Sequence, residues 1–474
     1  MKKKIVPCIA FLFVVFMMIP ALSASAAVFN IDFETKSKGI YMANLDTDTV
    51  VYEKDADLRL EPASCTKIMT YIVAAEHISD LEGTKITVSD YIEPTLTGTG
   101  SSMAGVITGE ELTALQLLNL MMVPSGNDAS LVLAEYVGGL ETGATGDEAV
   151  KNFVQMMNDK AAELGLSNTH FNNPHGLHDN EHYTTASDLY QITKYALTLP
   201  HFSDITSQTY YTLPATNKSA KSRTVYTTNK MISENTADNP YYYQYAKGIK
   251  TGSHDQAGYC LVSSAIYDGY TYICVALGAP SVDANGKEIE ERGEMIDSKN
   301  LYRWAFTTLE QKDILKSTDT VAEVKIDYVW NQDRLLLSPE KDFSTILPSD
   351  VDPSSVMMTT NLPEKVEAPV KKGDVIGTAT LSYANQELTT INLVAAESME
   401  KSQLLQIGSV MKDIFSSLWF IIIASIIGVL LIVYITLTLL YKSKKKKMRK
   451  VKKSYKINVA SRLNSRGYNS KGCT

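Results

Sequence analysis

Between Ile414 and Tyr441 the chain runs for 28 residues without a charged side chain. About 20 apolar residues in a helix cross the hydrocarbon core of a bilayer, so this stretch is long enough to span with some tilt. A soluble core rarely buries a helix of that length that lacks any polar face. Trp419 and Tyr441 stand where the two membrane interfaces would fall. Residues 442–474 follow with thirteen Lys and Arg and no acid. Positive charge beside a span marks the cytoplasmic side. The sequence therefore predicts one transmembrane helix over 414–441 and a basic cytoplasmic tail over 442–474. All that precedes the span is expected outside the cytoplasm, attached to the cell membrane by a single pass.

The other end carries its own address. Lys2, Lys3 and Lys4, an apolar run from Ile5 to Leu22 and the small residues Ala24-Ser25-Ala26 make a secretory signal over 1–27. The net charge of −8 then divides into +3 on the signal, +13 on the tail and −24 on residues 28–441. A body this acidic excludes nucleic acid as its partner, whereas the tail suits anionic lipid. Only Cys65, Cys260 and Cys274 lie in that body, too few for a disulfide scaffold. A two-residue turn at Asp268-Gly269 would set Ser263 opposite Cys274, leaving Cys260 and Cys274 out of register as free thiols.

Periodicity divides the body further. A hairpin is expected over 38–53 and a helix from Thr66 to Ile78 with Ile68, Met69, Ile72 and Val73 on one stripe. A second helix should follow a capping box at Thr108 and Glu111, a third should run from Asp128 to Gly138, and a fourth from Ala149 to Leu164. Strands are expected over 246–250, 258–266 and 270–277, then a helix over 286–313. Strands at both ends with helices between them predict an α+β fold, one antiparallel sheet packed against helices, over 28–314. From Val321 the period becomes two, which predicts a small all-β sandwich over 315–399. Residues 400–413 read as a polar linker to the membrane.

Three short motifs occur in order: Ser64-Cys65-Thr66-Lys67, Ser125-Gly126-Asn127 and Lys250-Thr251-Gly252. Ser-x-x-Lys also starts at Ser338, Ser398, Ser409 and Ser443, so only the conjunction carries weight. Ser64 and Lys67, three apart at a helix start, share a face, and an amine there can take the hydroxyl proton once its pKa falls. Burial and a second cation, Lys250, would lower it. Ser125 follows Pro124 in a tight turn, and Asn127 offers a donor and an acceptor to a peptide amide. Lys250 and the Thr251 hydroxyl can hold a carboxylate, and Gly252 would let a substrate backbone approach the sheet edge. The N–H groups of Ser64 and Ser253 are candidates for an oxyanion hole. His175, His178 and His182 sit in a turn without the spacing of a metal helix, so neither metal nor cofactor is expected. Tyr241, Tyr242, Tyr243 and Tyr245 suit a cleft wall or a core equally.

With these motifs read, residues 28–400 resemble the D-alanyl-D-alanine carboxypeptidases among the low-molecular-mass penicillin-binding proteins. Asn173-Pro174-His175-Gly176-Leu177, His182-Tyr183-Thr184-Thr185-Ala186 and Ala368-Pro369-Val370-Lys371-Lys372-Gly373 extend the resemblance. It implies that Ser64 is the nucleophile, Lys67 the base and Ser125 the proton relay. It implies that Asn127, Lys250 and Thr251 hold the terminal D-alanyl-D-alanine of a peptidoglycan stem peptide. β-Lactam antibiotics, which mimic that dipeptide, would acylate Ser64. The same site could serve a β-lactamase, a transpeptidase or an endopeptidase, and the fold could persist as a silent wall-binding scaffold. A β-lactamase needs a deacylating carboxylate, and no Glu-x-x-Leu-Asn follows the second motif; Glu163 has Asn168 five residues on. Cys65 inside the first motif predicts sensitivity to thiol reagents.

Overall fold

The computed structural model describes residues 29–464 apart from 234, 235, 284 and 385. The signal over 1–27 and residues 465–474 of the tail lie outside the described residues. The chain divides into two compact units. The first takes the residues up to Ser317 with Lys341–Thr360 and Ala379–Ile391; the second takes Thr318–Glu340, Asn361–Thr378 and the residues from Asn392 onward.

The first unit is built on a five-stranded antiparallel sheet. Its strands are β1 (Gly39–Asn44), β2 (Val50–Lys54), β3 (Ala246–His254), β4 (Gly258–Tyr267) and β5 (Tyr270–Ala279), in the order β2-β1-β5-β4-β3. The expected hairpin and the three later strands are all present, and β3 forms an edge. Ser263 pairs with Cys274 as the turn geometry required, and all three cysteines are free. Successive residues of β4 and β5 feed opposite cores, as a period of two demands. Val262, Ile273 and Val275 join one apolar cluster; Leu261, Tyr272 and Cys274 join the other. Both faces are covered, which explains the nearly unbroken apolar runs of these strands.

Helices fill the first cluster: α1 (Lys67–His77), α2 (Ala114–Met122), α3 (Asn127–Gly139), α4 (Gly146–Glu163) and α5 (Ala186–Ala196). Every residue of α1 from Lys67 to Ala74 is buried. A helix enclosed on all sides is central, and a charged residue on it must have been given partners. On the other face α6 (Gly293–Thr308) supplies Met295, Leu301, Tyr302 and Ala305.

Three local expectations differ. The capping box of α2 is Thr113 with Gln116, because Glu111–Thr113 is drawn into a strand with Lys85–Thr87. The helix expected to 313 ends at Thr308, and Leu309–Leu315 pairs instead with Phe343–Pro348. Strand pairing there overrides a sequence of adequate helix propensity. Residues 400–413 are no irregular linker: Gln403–Ser416 forms α7, capped by the Ser402 side chain, and it exposes Leu404, Ile407 and Met411.

In the second unit Ala322–Asp327 pairs antiparallel with Arg334–Pro339 and parallel with Lys365–Glu367. Residues 337–339 pair with 393–395. This is the β-rich C-terminal part that the period of two announced. After α7 the backbone extends at Ser417, and α8 runs from Leu418 to Asn464. Its apolar first half is long enough to cross a membrane, so α8 is a candidate membrane anchor.

Candidate active site

The first motif forms a single 3-10 turn, Ala63–Thr66, that leads directly into α1. Several contacts fix that turn. Asn172 N–H donates to Nδ1 of His182, so the ring proton lies on Nε2, 2.7 Å from Thr66 Oγ1. Thr66 Oγ1 in turn donates to Ala63 O at 2.8 Å. Gly252 closes the other side: a Cβ there would stand 2.7 Å from Pro62 O and 2.9 Å from Ser64 N. Glycine is needed at this position because the serine turn packs on the strand, a different reason from the expected approach of substrate. Gly176, at φ +84°, packs against Ala63 O in the same way.

Lys67 lies fully buried at the start of α1. Its Nζ is 2.9 Å from Ser64 Oγ, 2.6 Å from Asn127 Oδ1 and 2.8 Å from His175 O. Burial, and then the charge of Lys250, hold its pKa well below the ordinary lysine value. In the neutral amine two N–H groups donate to the amide and peptide oxygens, neither of which can donate back. The lone pair is then left for the one partner that has a proton to give, the Ser64 hydroxyl.

The second motif sits between α2 and α3. Ser125 has φ +64° and Asn127 opens α3. Asp128, fully buried, accepts N–H groups from Ala104, Gly105 and Val106 and so ties down the segment that contains Thr99 to Ser102. On β3, Lys250 is buried and donates to Thr251 O at 3.0 Å; burial lowers its pKa to about 8. Thr251 Oγ1 is 2.5 Å from Thr228 Oγ1.

A cavity of about 660 Å³ joins these pieces. Ser64, Ser125, Asn127, Thr251, Gly252 and Ser253 all line it. Lys67 and Lys250 do not; they act from behind the wall. Arg292, which the motifs gave no reason to single out, lines the cavity too. Its guanidinium is paired with buried Glu294 and lies 4.2 Å over the Tyr259 ring. Its backbone N–H donates to the Tyr241 hydroxyl at 3.1 Å. Tyr241 and Tyr243 are thus core and support, with Tyr243 stacked on Tyr302.

Of the three histidines, burial holds His175 and His182 uncharged, with pKa values of about 3. His178 stands at the cavity wall against Glu61. The thiol-sensitivity expectation fails: Cys65 is fully buried, donates to Lys250 O, and burial raises its pKa to about 12. Glu163 is on the surface beside Lys160 and does not reach the cleft.

A serine hydroxyl against a buried amine, beside a cavity with a second serine and an arginine in its wall, defines an acyl-transferring serine hydrolase of the Ser-x-x-Lys type. Residues 24–281 match the family model for D-alanyl-D-alanine carboxypeptidase, and residues 309–401 that for the C-terminal domain of penicillin-binding protein 5. The chain belongs to the D-alanyl-D-alanine carboxypeptidase family, whose members are serine hydrolases. It is 31% identical over 369 residues to the carboxypeptidase DacF of Bacillus subtilis, covering 77% of this chain and 87% of that one. Penicillin-binding protein 5 of Haemophilus influenzae superposes with a TM-score of 0.61 at 25% identity, covering 79% of this chain and all of that one. The DD-transpeptidase of Streptomyces K15 gives a TM-score of 0.52 at 31% identity, covering 59% and 100%.

Proposed function

We propose that this chain removes the terminal D-alanine from peptidoglycan stem peptides through an acyl-enzyme on Ser64. Lys67, as the free amine, takes the proton of Ser64 Oγ while that oxygen bonds to the penultimate D-alanine carbonyl carbon. The oxyanion is stabilised by the N–H groups of Ser64 and Ser253. Ser125 gives its proton to the departing D-alanine amine as the peptide bond breaks and takes in return the one held by Lys67, which leaves the amine free again. Water then attacks the ester, with Lys67 again taking the proton, and releases the shortened peptide. Asn127 holds the substrate amide. The free carboxylate meets the Thr251 hydroxyl and the Arg292 guanidinium, with Gly252 between them. Lys250, turned to its own strand, contributes its field to Lys67 and to the carboxylate instead of contacting either.

The observation that carries this reading is the trio of partners around Lys67 Nζ, in which Ser64 alone can donate. β-Lactams are expected to acylate Ser64 and to leave slowly, since Glu163 cannot serve as a deacylating base. Fluorescent penicillin should label the unmodified protein and not Ser64→Ala, and D-alanine release from a stem pentapeptide should vanish in the same variant. Labelling of Ser64→Ala would refute the assignment. The expected span over 414–441 is broken at Ser417, and we assign the apolar start of α8, 418–441, as a single membrane pass, with the cleft outside and the basic residues inside. The thirteen Lys and Arg that follow the span support that topology.

A further inference from the structure

A second cavity, of about 370 Å³, shares one stretch of backbone with the catalytic cleft. Thr228 lines the cleft, where its hydroxyl meets that of Thr251, and its neighbour Thr227 lines the second cavity. The volume falls within the range of small-ligand sites, roughly 300–1,000 Å³.

A short hairpin forms one wall. Tyr210–Leu213 pairs antiparallel with Arg223–Tyr226. Alternation turns Tyr211, Leu213 and Val225 to the first apolar cluster and leaves Tyr210, Thr212, Thr224 and Tyr226 exposed. An outward strand face is ordinarily polar, yet Tyr210 and Tyr226 are 57% and 69% exposed. They stand directly opposite each other, ring centroids 6.4 Å apart, and both line the cavity. A cross-strand aromatic pair braces a hairpin, but bracing requires no cavity beside it.

The remaining lining is polar. Lys230 and Asp238 are its charged groups among the described residues, so the cavity has no formal net charge. Lys230 Nζ lies 5.6 Å over the Tyr241 ring. Asn239 Nδ2 donates to Lys230 O at 2.8 Å and ties residues 230 and 239 together. Such a lining suits an uncharged ligand with apolar faces for two rings and hydroxyls that both donate and accept. An N-acetylated sugar has all of these. The C–H face of its ring can lie on a tyrosine, and its hydroxyls can reach Thr209, Thr227, Lys230 and Asp238. A second stem peptide fits less well, since its terminal carboxylate would meet Asp238 as well as Lys230.

We propose that this cavity binds the glycan strand of peptidoglycan, at a site separate from the catalytic cleft, with Tyr210 and Tyr226 as its stacking platform. The sugar of a stem peptide hangs from the end opposite its free carboxylate. The cavity adjoins the carboxylate end, at Thr228, so the strand held here is a neighbour of the one being trimmed. Holding the wall at two sites raises the local concentration of stem peptides at the cleft.

Chitohexaose, a neutral hexamer of N-acetylglucosamine without peptide, tests this by calorimetric titration of the full-length protein in detergent. It is expected to bind the unmodified protein and Ser64→Ala alike, and the double variant Tyr210→Thr/Tyr226→Thr roughly tenfold more weakly. Threonine keeps the strand propensity of these positions. Because the ring pair also braces the hairpin, Asp238→Asn is measured beside it and should weaken binding with both rings in place. D-Alanine release from a soluble stem pentapeptide should be unchanged in both variants. Release from isolated cell-wall sacculi should fall roughly tenfold in the double variant, as one of two linked contacts is lost. A hexamer that does not bind, that binds both variants as tightly as the unmodified protein, or that a soluble pentapeptide displaces overturns the proposal. Sacculus turnover left unchanged in the double variant overturns it too. Failure of the carboxypeptidase reading shows itself separately, as no D-alanine from the soluble pentapeptide, and leaves hexamer binding in place.

Discussion

Replacing Asp128 by Asn tests whether one buried charge holds the cleft wall. Ala104 N–H (2.8 Å) and Ala129 N–H (2.9 Å) donate to its Oδ1; Gly105 N–H (2.8 Å) and Val106 N–H (3.1 Å) donate to Oδ2. Asparagine keeps one oxygen and puts an NH2 group where the other stood, so two donors lose their acceptor and face a donor. A hydrogen bond to a charged group contributes about 1.5–3 kcal/mol, and stranding a buried donor costs about 1–3 kcal/mol. Residues 98–106 can lift and hydrate, which relieves part of this, so a loss of about 2–4 kcal/mol is expected. At roughly 2–4 °C per kcal/mol the melting temperature falls by several degrees or more. Function should respond as well, since Thr99 to Ser102 line the cavity and Asn127 N–H donates to Ser102 O at 2.8 Å. KM for a stem peptide should rise. The pH profile carries the distinguishing sign. Burial and Lys250 depress the Lys67 pKa, and the Asp128 charge opposes them. Without that charge the amine loses its proton at still lower pH, so the acidic limb of kcat/KM moves down while the maximum drops. An unchanged melting temperature and KM, or an acidic limb that moves upward, would refute the reasoning.

Lys250→Gln should move that limb the other way: losing a like charge raises the Lys67 pKa, and at a pH below it D-alanine release falls about tenfold per unit. Arg292→Gln should raise KM for a free-carboxylate peptide by roughly ten- to a hundredfold, from about 1.5–3 kcal/mol of charge-assisted hydrogen bonding, and leave a carboxyl-amidated analogue little affected. Gly252→Ala, whose Cβ would press on Pro62 O and Ser64 N, should slow penicillin acylation by roughly a hundredfold, with the melting temperature nearly unchanged. Iodoacetamide at pH 8 should leave penicillin labelling of the native protein intact over a time that alkylates Cys65 in urea; rapid inactivation of the native form would contradict the burial of that thiol.

What could be read from the sequence was whatever has a local cause. The strands of the central sheet showed because β-branched runs stop at Asp268-Gly269, and α1 showed because its stripe starts one turn after Ser64. The candidate residues were found because motif order is itself local information. Contacts between distant segments were not legible. Arg292 precedes α6 in a charge-rich stretch that reads as surface, and only folding sets it over Tyr259 at the cleft. Glu61 lies three residues before Ser64, yet its contacts are His178 and His254, more than a hundred residues on. Gly252 was noticed for substrate alone, and the serine turn packed against it was not legible, because a glycine records that something comes close and not what comes close. The same limit applies to Leu309–Leu315, where helix propensity was outvoted by a strand partner some 30 residues on. The chemistry of Lys67 therefore depends on two kinds of information. The spacing from Ser64 sets the reach of the amine. Asn127, His175 and Lys250, brought in from three other segments, determine whether the amine is free to take a proton.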